Sequence, residues 1–303
     1  LIVAGRSLSR LQASINELKS SYPDVDIRPL ILDLSSQKAV RTAAAEVLLW
    51  SDVPVVDIVI NSAGVMNLPE RTLSEDGIEM HFATNHVGHF LFTNLIMSKL
   101  IAASQASGLK GAVRVINVSS LSPTVAGIRW SDMSFEKINK SLPADEQPNY
   151  GMLAQFGTTG AEEKSYVGLE GYNQSKVANV LYSIGLNARL YEKHGILSLA
   201  VHPGIIRTEI SRYADEGTVS AVDAILKSGI YVKSLGAGAS TSLVAAVDPK
   251  VELPMTRDGK ENYGVYWVDC QVSPIAGPRA VSSENAEKLW RITERLVGES
   301  YAW

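Results

Sequence analysis

Apolar positions along the chain switch repeatedly between two periods. Leu1-Ile2-Val3-Ala4 is an unbroken apolar run that stops at Gly5-Arg6, the form of a buried parallel strand and its exit turn. Leu8, Leu11, Ile15 and Leu18 then recur at helical spacing. The alternation continues, predicting further strands near 27–32, 55–60, 113–118, 197–202 and 264–268. Helices are expected from Asp33 to about Trp50, over 77–103, from Tyr172 to about His194, and over 236–247 and 283–296. The segment 205–235 is mixed, with several short helices. Between Gly127 and Gly171 the pattern fades into a polar stretch with Pro143, Pro148, Gly151, Gly157 and Gly160, which reads as a long surface insertion.

Strands that read as continuous apolar runs and alternate with helices indicate an α/β fold, a parallel sheet covered on both faces. Ligands of such sheets sit at the carboxyl ends of the strands. Arg6, Asp33, Asn61 to Gly64, Ser120 and Pro203-Gly204 all fall at such ends. No linker divides the 303 residues, so one domain, residues 1–303 with an insertion at about 128–171, is expected.

Composition narrows the function more than the fold. A net charge of −4 gives no electrostatic case for nucleic acid or an anionic membrane. A single cysteine, Cys270, excludes an intrachain disulfide framework and fits a reducing compartment, so a cytoplasmic protein is expected. No apolar run is long enough to span a bilayer. His86 and His89 have no acidic or cysteine neighbours in sequence, and metal binding is not expected.

The candidate chemistry lies in Gly171-Tyr172-Asn173-Gln174-Ser175-Lys176. On a helix Tyr172 and Lys176 share one face, a turn apart. A free tyrosine loses its proton near pH 10, and a fixed ammonium group one turn away is expected to lower that value. A phenol tuned in this way can hand a proton to a carbonyl oxygen or take one from an alcohol. Ser120, just past a strand end, could hydrogen-bond the same substrate oxygen. Alone, the Tyr/Lys spacing also fits an ordinary packing pair, and Ser119-Ser120 an ordinary turn.

Taken with LIVAGRSLSRL, LDLSS, IVINSAGVM, DGIEMHFATNHVGHFLFTNL, RVINVSS, GYNQSKVANVLY, VHPGIIRTEI and NAEKLW, the chain resembles the short-chain dehydrogenases/reductases from end to end. The nearest subgroup is the retinol-dehydrogenase-like and WW-domain-oxidoreductase-like members. The resemblance implies a Rossmann-type doubly wound parallel sheet in three α/β/α layers. It also implies an oxidoreductase that uses NAD(P) to interconvert an alcohol and a ketone or aldehyde.

By the same resemblance Tyr172 is the general acid/base, Lys176 lowers its pKa and holds the nicotinamide ribose, and Ser120 binds the substrate oxygen. Asn85 binds a water beside the lysine; its plainer role is an interior hydrogen bond in its helix. Asn61, Ala63 and Gly64 support the sheet and line the adenosine side, with Ser62 in place of a second asparagine. Asp33 contacts the adenine, or caps the helix that follows, or both. Pro203, Gly204, Ile206 and Thr208 form the turn beside the nicotinamide carboxamide. Arg6 stands where an acidic residue would bind the ribose of NAD, which favours NADP.

The family opens with a further strand and a TGxxxGxG loop that cradles pyrophosphate. No residue run here matches them, so the fold is expected to be N-terminally truncated, part of a longer chain. The absent strand would lie between the strands at Leu1–Ala4 and 55–60, leaving unpaired edges and an apolar gap. The expected partner is a small lipophilic or aromatic carbonyl or alcohol, and a homo-oligomer is compatible with the sequence. The alternative is a catalytically silent nucleotide-binding or interaction protein, or a non-functional fragment of such an enzyme.

Overall fold

The computed structural model describes residues 1–213, 231–253 and 260–303, with 217, 219, 220, 224, 227, 229, 256 and 257 between them. The short helices expected after 213 fall largely outside the described residues. Strands β1 (Ile2–Gly5) and β2 (Arg28–Ile31) pair in parallel as a sheet of their own. A second sheet runs in the order β3 (Ile58–Asn61), β4 (Arg114–Val118), β5 (Leu197–His202), β8 (Tyr266–Val268) and β9 (Gln271–Val272). Its first four strands are parallel, and β9 turns back antiparallel at the edge. Two-residue strands β6 (Thr256–Arg257) and β7 (Lys260–Glu261) form a separate hairpin.

Alternation along β4 and β5 divides the core into two faces. Val115 and Ala200 belong to a large buried cluster that runs from Leu30 to Val297. Ile116, Leu197, Leu199 and Val201 point the other way, against Ala245 and Ala246. Helix α7 (Gly168–His194) covers the first face and α8 (Leu235–Val247) the second. Helices α1 (Leu8–Ser21) and α2 (Gln37–Leu49) belong to the β1–β2 side, and the amphipathic α9 (Ser283–Val297) packs Leu289 and Trp290 onto the α7 side.

The expected gap is present. Among the described residues no ladder joins β1 to β3, and a cleft of about 240 Å³ separates them. Ile2 and Ala4 line one wall, Ile58 and Ile60 the other, with Phe92 and Ile96 at its base. Ile58 and Ile60 stay 36% and 42% exposed, far from the burial that interior strands reach.

Three expectations need correction. The helix over 77–103 is broken: a turn at Met80–Phe82 (α3) leads into a π-helical turn, Ala83–Val87, then α4 (Gly88–Leu95) and α5 (Met97–Ser107), which meet at 57°. At the break Asn94 Nδ2 donates 2.9 Å to the Phe90 carbonyl, the local side-chain competition that bends helices.

The insertion is not merely surface. Arg129, 4% exposed, pairs with Asp132 at 2.6 Å, donates to Asn139 Oδ1 and lies 4.7 Å from the Phe135 ring centroid. Leu153 from α6 (Tyr150–Gln155), Ala161 and Val167 form a small core beside this hub.

The helix with Tyr172 begins at Gly168, a full turn earlier than expected. Val167, extended before it, packs into the insertion core.

Candidate active site

Helix α7 carries the candidate pair. Its middle is almost wholly buried, and its N-terminal turn lies on α3 so closely that a Cβ on Gly171 would come within 2.8 Å of His81 Nδ1. His81 is fixed in turn by Glu79 at 2.7 Å. Tyr172, the next residue, is therefore set by a side chain-free contact at the helix start.

Burial pushes the pKa of the Tyr172 phenol up to about 12, and the neighbouring Ser120 works against that rise. The Lys176 Nζ donates 2.8 Å to the Val118 carbonyl and lies 5.6 Å from the Tyr172 ring centroid. Burial lowers this ammonium to about 8. The expected depression of the tyrosine is thus not what this arrangement produces. Removing the phenolate from water outweighs a cation turned toward the end of β4.

The two serines after β4 divide their work. Ser119 Oγ donates 2.7 Å inward to the Lys176 carbonyl, which helps dock α7 on the sheet. Ser120 Oγ donates 2.7 Å to Ser122 Oγ, accepts 3.0 Å from the Ser122 amide and faces Tyr172. Only Ser120 has its hydroxyl at the phenol. Its carbonyl accepts 2.6 Å from the Tyr266 hydroxyl, so β8 also holds the loop.

Asn85 lies in the π-helical turn rather than in a regular helix. Its Oδ1 accepts 2.8 Å from the Val65 amide, and its Nδ2 donates 2.9 Å to both the Val65 carbonyl and Ser175 Oγ. The side chain ties the loop after β3 to α7. That loop comes near enough for a Cβ on Gly64 to stand 3.0 Å from Asn85 Oδ1 and 3.6 Å from Lys176 Nζ. A π turn widens the helix where this tie is made, as such turns do at functional positions.

Asn61, at the end of β3, donates 2.9 Å to Asn117 Oδ1 and 3.2 Å to Thr93 Oγ1. Its side chain therefore serves the sheet, while Ala63 is exposed on the cleft wall. Asp33 does not cap α2. Ser36 does, accepting from the Ala39 amide, and Asp33 Oδ1 instead closes a turn on the Ser35 amide at 3.0 Å.

Beyond β5, Pro203 and Gly204 lead to Ile206, whose Cδ1 fills the space a Cβ on Gly238 would need. Thr208 Oγ1 caps a short 3₁₀ turn by accepting from the Ile210 amide. Arg6 is exposed beyond β1, within reach of Tyr213, whose hydroxyl is held below its ordinary value by Arg212 first and Arg6 further.

Sequence and fold comparisons bear on the family and the fold. A family model for short chain dehydrogenases matches residues 1–134. The chain is 34% identical over 300 residues to short-chain dehydrogenase TIC 32 A, chloroplastic, of Brassica napus, spanning 98% of this chain and 80% of that one. The chain belongs to the short-chain dehydrogenase family. Within it the chain is similar to retinol dehydrogenase 13 of Homo sapiens, 30% identical with 98% of this chain and 77% of that one covered.

Among solved structures, an NADPH-bound carbonyl reductase from chicken fatty liver superposes with a TM-score of 0.56 at 18% identity. That match covers 90% of this chain and 86% of that one, and it concerns the fold alone.

Several residues of this short-chain dehydrogenase site leave no mark in the sequence. Ser122, Asn173 and Tyr266 are joined to it by bonds between distant segments (Ser122 to Asn173, Tyr266 to the Ser120 carbonyl), which no spacing rule encodes. His86 and His89, noted for their proximity, are interior groups: His86 Nε2 meets Thr293 Oγ1 at 2.9 Å, and His89 Nδ1 meets the Asn85 carbonyl at 2.9 Å. No single helix among the described residues is long and apolar enough to cross a membrane.

Proposed function

We propose that this chain carries the site of an NADP(H)-dependent oxidoreductase that interconverts an alcohol and a ketone or aldehyde, with Tyr172 as the general acid/base. The observation that carries the reading is the meeting of Ser120 and Tyr172 beside Lys176 at the carboxyl ends of β4 and β5.

The nicotinamide end of the cofactor suits the residues present. Lys176 Nζ donates to the Val118 carbonyl and has further hydrogens to offer ribose hydroxyls. Gly64, Ile206 and Thr208 flank the same edge, and Arg6 with Arg212 offers paired guanidinium groups for a 2′-phosphate. Asp33, Asn61, Ala63, Pro203 and Gly204 complete the proposed cofactor contacts. When bound, the cofactor supplies or accepts the hydride.

The protein's part is proton transfer. A substrate oxygen placed between Ser120 Oγ and the Tyr172 hydroxyl would accept a hydrogen bond from Tyr172, and one from Ser120 once its proton turns away from Ser122 Oγ. As negative charge grows on that oxygen, Tyr172 passes its proton over. A phenol near 12 still loses its proton readily to an alkoxide, so the buried Tyr172 suits the acid role, in the reductive direction. Lys176 then favours the phenolate left behind. The proposal includes one domain over 1–303, a small lipophilic or aromatic substrate and a reducing compartment. Its support is the continuous buried cluster and the single Cys270.

The test pairs turnover with binding. Tyr172→Phe should nearly abolish NADPH-dependent reduction across a panel of aromatic and lipophilic carbonyls. NADPH binding, read by energy transfer from the tryptophans, should be nearly unchanged. A variant that stays active would end the assignment. The cleft between β1 and β3 favours a second reading, a nucleotide-binding or interaction protein without turnover. Saturable NADPH binding with no reduction of any panel member would select it.

A further inference from the structure

Two buried polar residues and a half-buried carboxylate outside the catalytic set form an unbroken line ending at Ser120. Ser122 and Asn173 are 5% and 3% exposed, and Glu170 sits one turn before Asn173 on α7. Asn173 Nδ2 donates 2.8 Å to Glu170 Oε1. Asn173 Oδ1 accepts 2.7 Å from Ser122 Oγ. Ser122 Oγ in turn accepts 2.7 Å from Ser120 Oγ, and the Ser122 amide donates 3.0 Å to the same Ser120 oxygen.

Each bond sets the direction of the next. A carboxylate can only accept, so the Asn173 amide must turn its nitrogen to Glu170 and its oxygen to Ser122. Ser122 has one proton, which goes to that oxygen. Toward Ser120 it can then offer only a lone pair and its backbone N–H. Ser120 Oγ is thus held from two sides by one residue, which fixes its rotamer and its distance from Tyr172.

We propose that Ser122, Asn173 and Glu170 are positioning residues that hold the Ser120 hydroxyl in register with Tyr172. This deepens the oxidoreductase reading and rests on it. Burial raises the Glu170 carboxyl, with Asn173 first and Arg129 second opposing the rise. Arg129, centre of the 128–167 segment, also holds this part of α7, its backbone amide donating 3.0 Å to Gln174 Oε1.

The test is a double-mutant cycle on the full chain, with 4-nitrobenzaldehyde and NADPH as the probe. Ser122→Ala and Asn173→Ala should each lower kcat about tenfold when Ser120 is present, and less than about twofold in the Ser120→Ala background. Glu170→Gln, which keeps an acceptor for Asn173, should recover most of the loss seen in Glu170→Ala. A purely structural line would lower activity equally in both backgrounds, and that result would overturn the proposal while leaving Ser120 in its role.

Should Ser120→Ala itself cost nothing, the oxidoreductase reading and this inference fail together. A second readout needs no turnover. The ¹³Cζ resonance of Tyr172, identified by its loss in Tyr172→Phe, should move in Asn173→Ala in the same direction as in Ser120→Ala. An unmoved resonance in a variant that melts like the parent would sink the proposal.

Discussion

The two sides of the molecule are built to different standards of closure. On the β3–β9 side, every parallel strand has a neighbour on at least one edge, and buried polar bonds stitch the interior. Asn61 reaches Asn117, which reaches Ser183 and Ser198 at 2.8 and 3.3 Å. On the β1–β2 side, two four-residue strands pair, among the described residues, only with each other, beside a cleft of about 240 Å³. What joins the sides is helix packing, α2 against α4, through Val40, Val47 and their neighbours in the main cluster. The proton-transfer residues all belong to the closed side, whereas Arg6 and Asp33, proposed for the adenosine end, belong to the open one. Catalytic geometry and cofactor affinity should therefore respond to different perturbations.

The largest effect should come from the closed side. Tyr172→Phe removes the transferable proton without creating a cavity, and a loss of roughly 10³-fold in turnover is expected, within the usual range for a general acid. Steady-state reduction of a reactive aldehyde measures it. Lys176 offers a pH test of the same region. Its folded value, about 8, lies below the value near 10.4 of an unfolded lysine. Between those limits the unfolded chain binds more protons, so stability should rise as pH rises through this window and level off at its lower value below 8. Urea unfolding at pH 7.5 and 9.5 should differ by roughly 2 kcal/mol in the parent. In Lys176→Met the difference should largely vanish; a persistent rise would place the titrating group elsewhere.

Amide exchange should then separate the two sides directly. Strands β4 and β5 are paired on both edges, while among the described residues β1 pairs with β2 alone. Amides of β1 and β2 should exchange at least about tenfold to a hundredfold faster than those of β4 and β5, through openings smaller than global unfolding. Equal protection throughout would mean that helix packing alone closes the fold as firmly as strand pairing does.

What the sequence makes legible follows the same division. Strand β5 is found at Leu197–His202 as expected, because a strand buried on both faces reads as a nearly continuous apolar run, here Leu197, Leu199, Ala200 and Val201. The gap beside β1 follows from the family resemblance, which sets a further strand between Leu1–Ala4 and residues 55–60. The break at Ile96 is hidden, because the apolar period runs straight across it while one Asn94 side chain turns the backbone aside. Asp33 misleads as a cap because Ser36, three residues on, is an equally good capping residue and stands at the true helix start. The sign of the Tyr172 shift depends on where the Lys176 Nζ points, which a four-residue spacing cannot state. Arg129 looks like one more exposed charge in a polar stretch; only the folded loop shows its carboxylate and amide partners.

The smallest effect concerns cofactor choice, and it sharpens the contrast because it should touch affinity alone. Arg6 and Arg212 come from opposite ends of the edge, one after β1 and one after β5, and both act on the Tyr213 hydroxyl. A phosphate at this point would meet two guanidinium groups, the pairing arginine makes best. Both are exposed, however, and exposed charge pairs contribute only about 1 kcal/mol or less. Arg6→Ala should therefore weaken NADPH about fivefold while leaving NADH affinity nearly constant, and Arg212→Ala should do the same to a smaller degree. Since neither residue touches the Ser120–Tyr172 pair, kcat at saturating NADPH should hold. Titrations of both nucleotides at low and moderate salt decide the matter. Loss of NADPH and NADH affinity in equal measure would mean that Arg6 supports the open side structurally and does not read the phosphate.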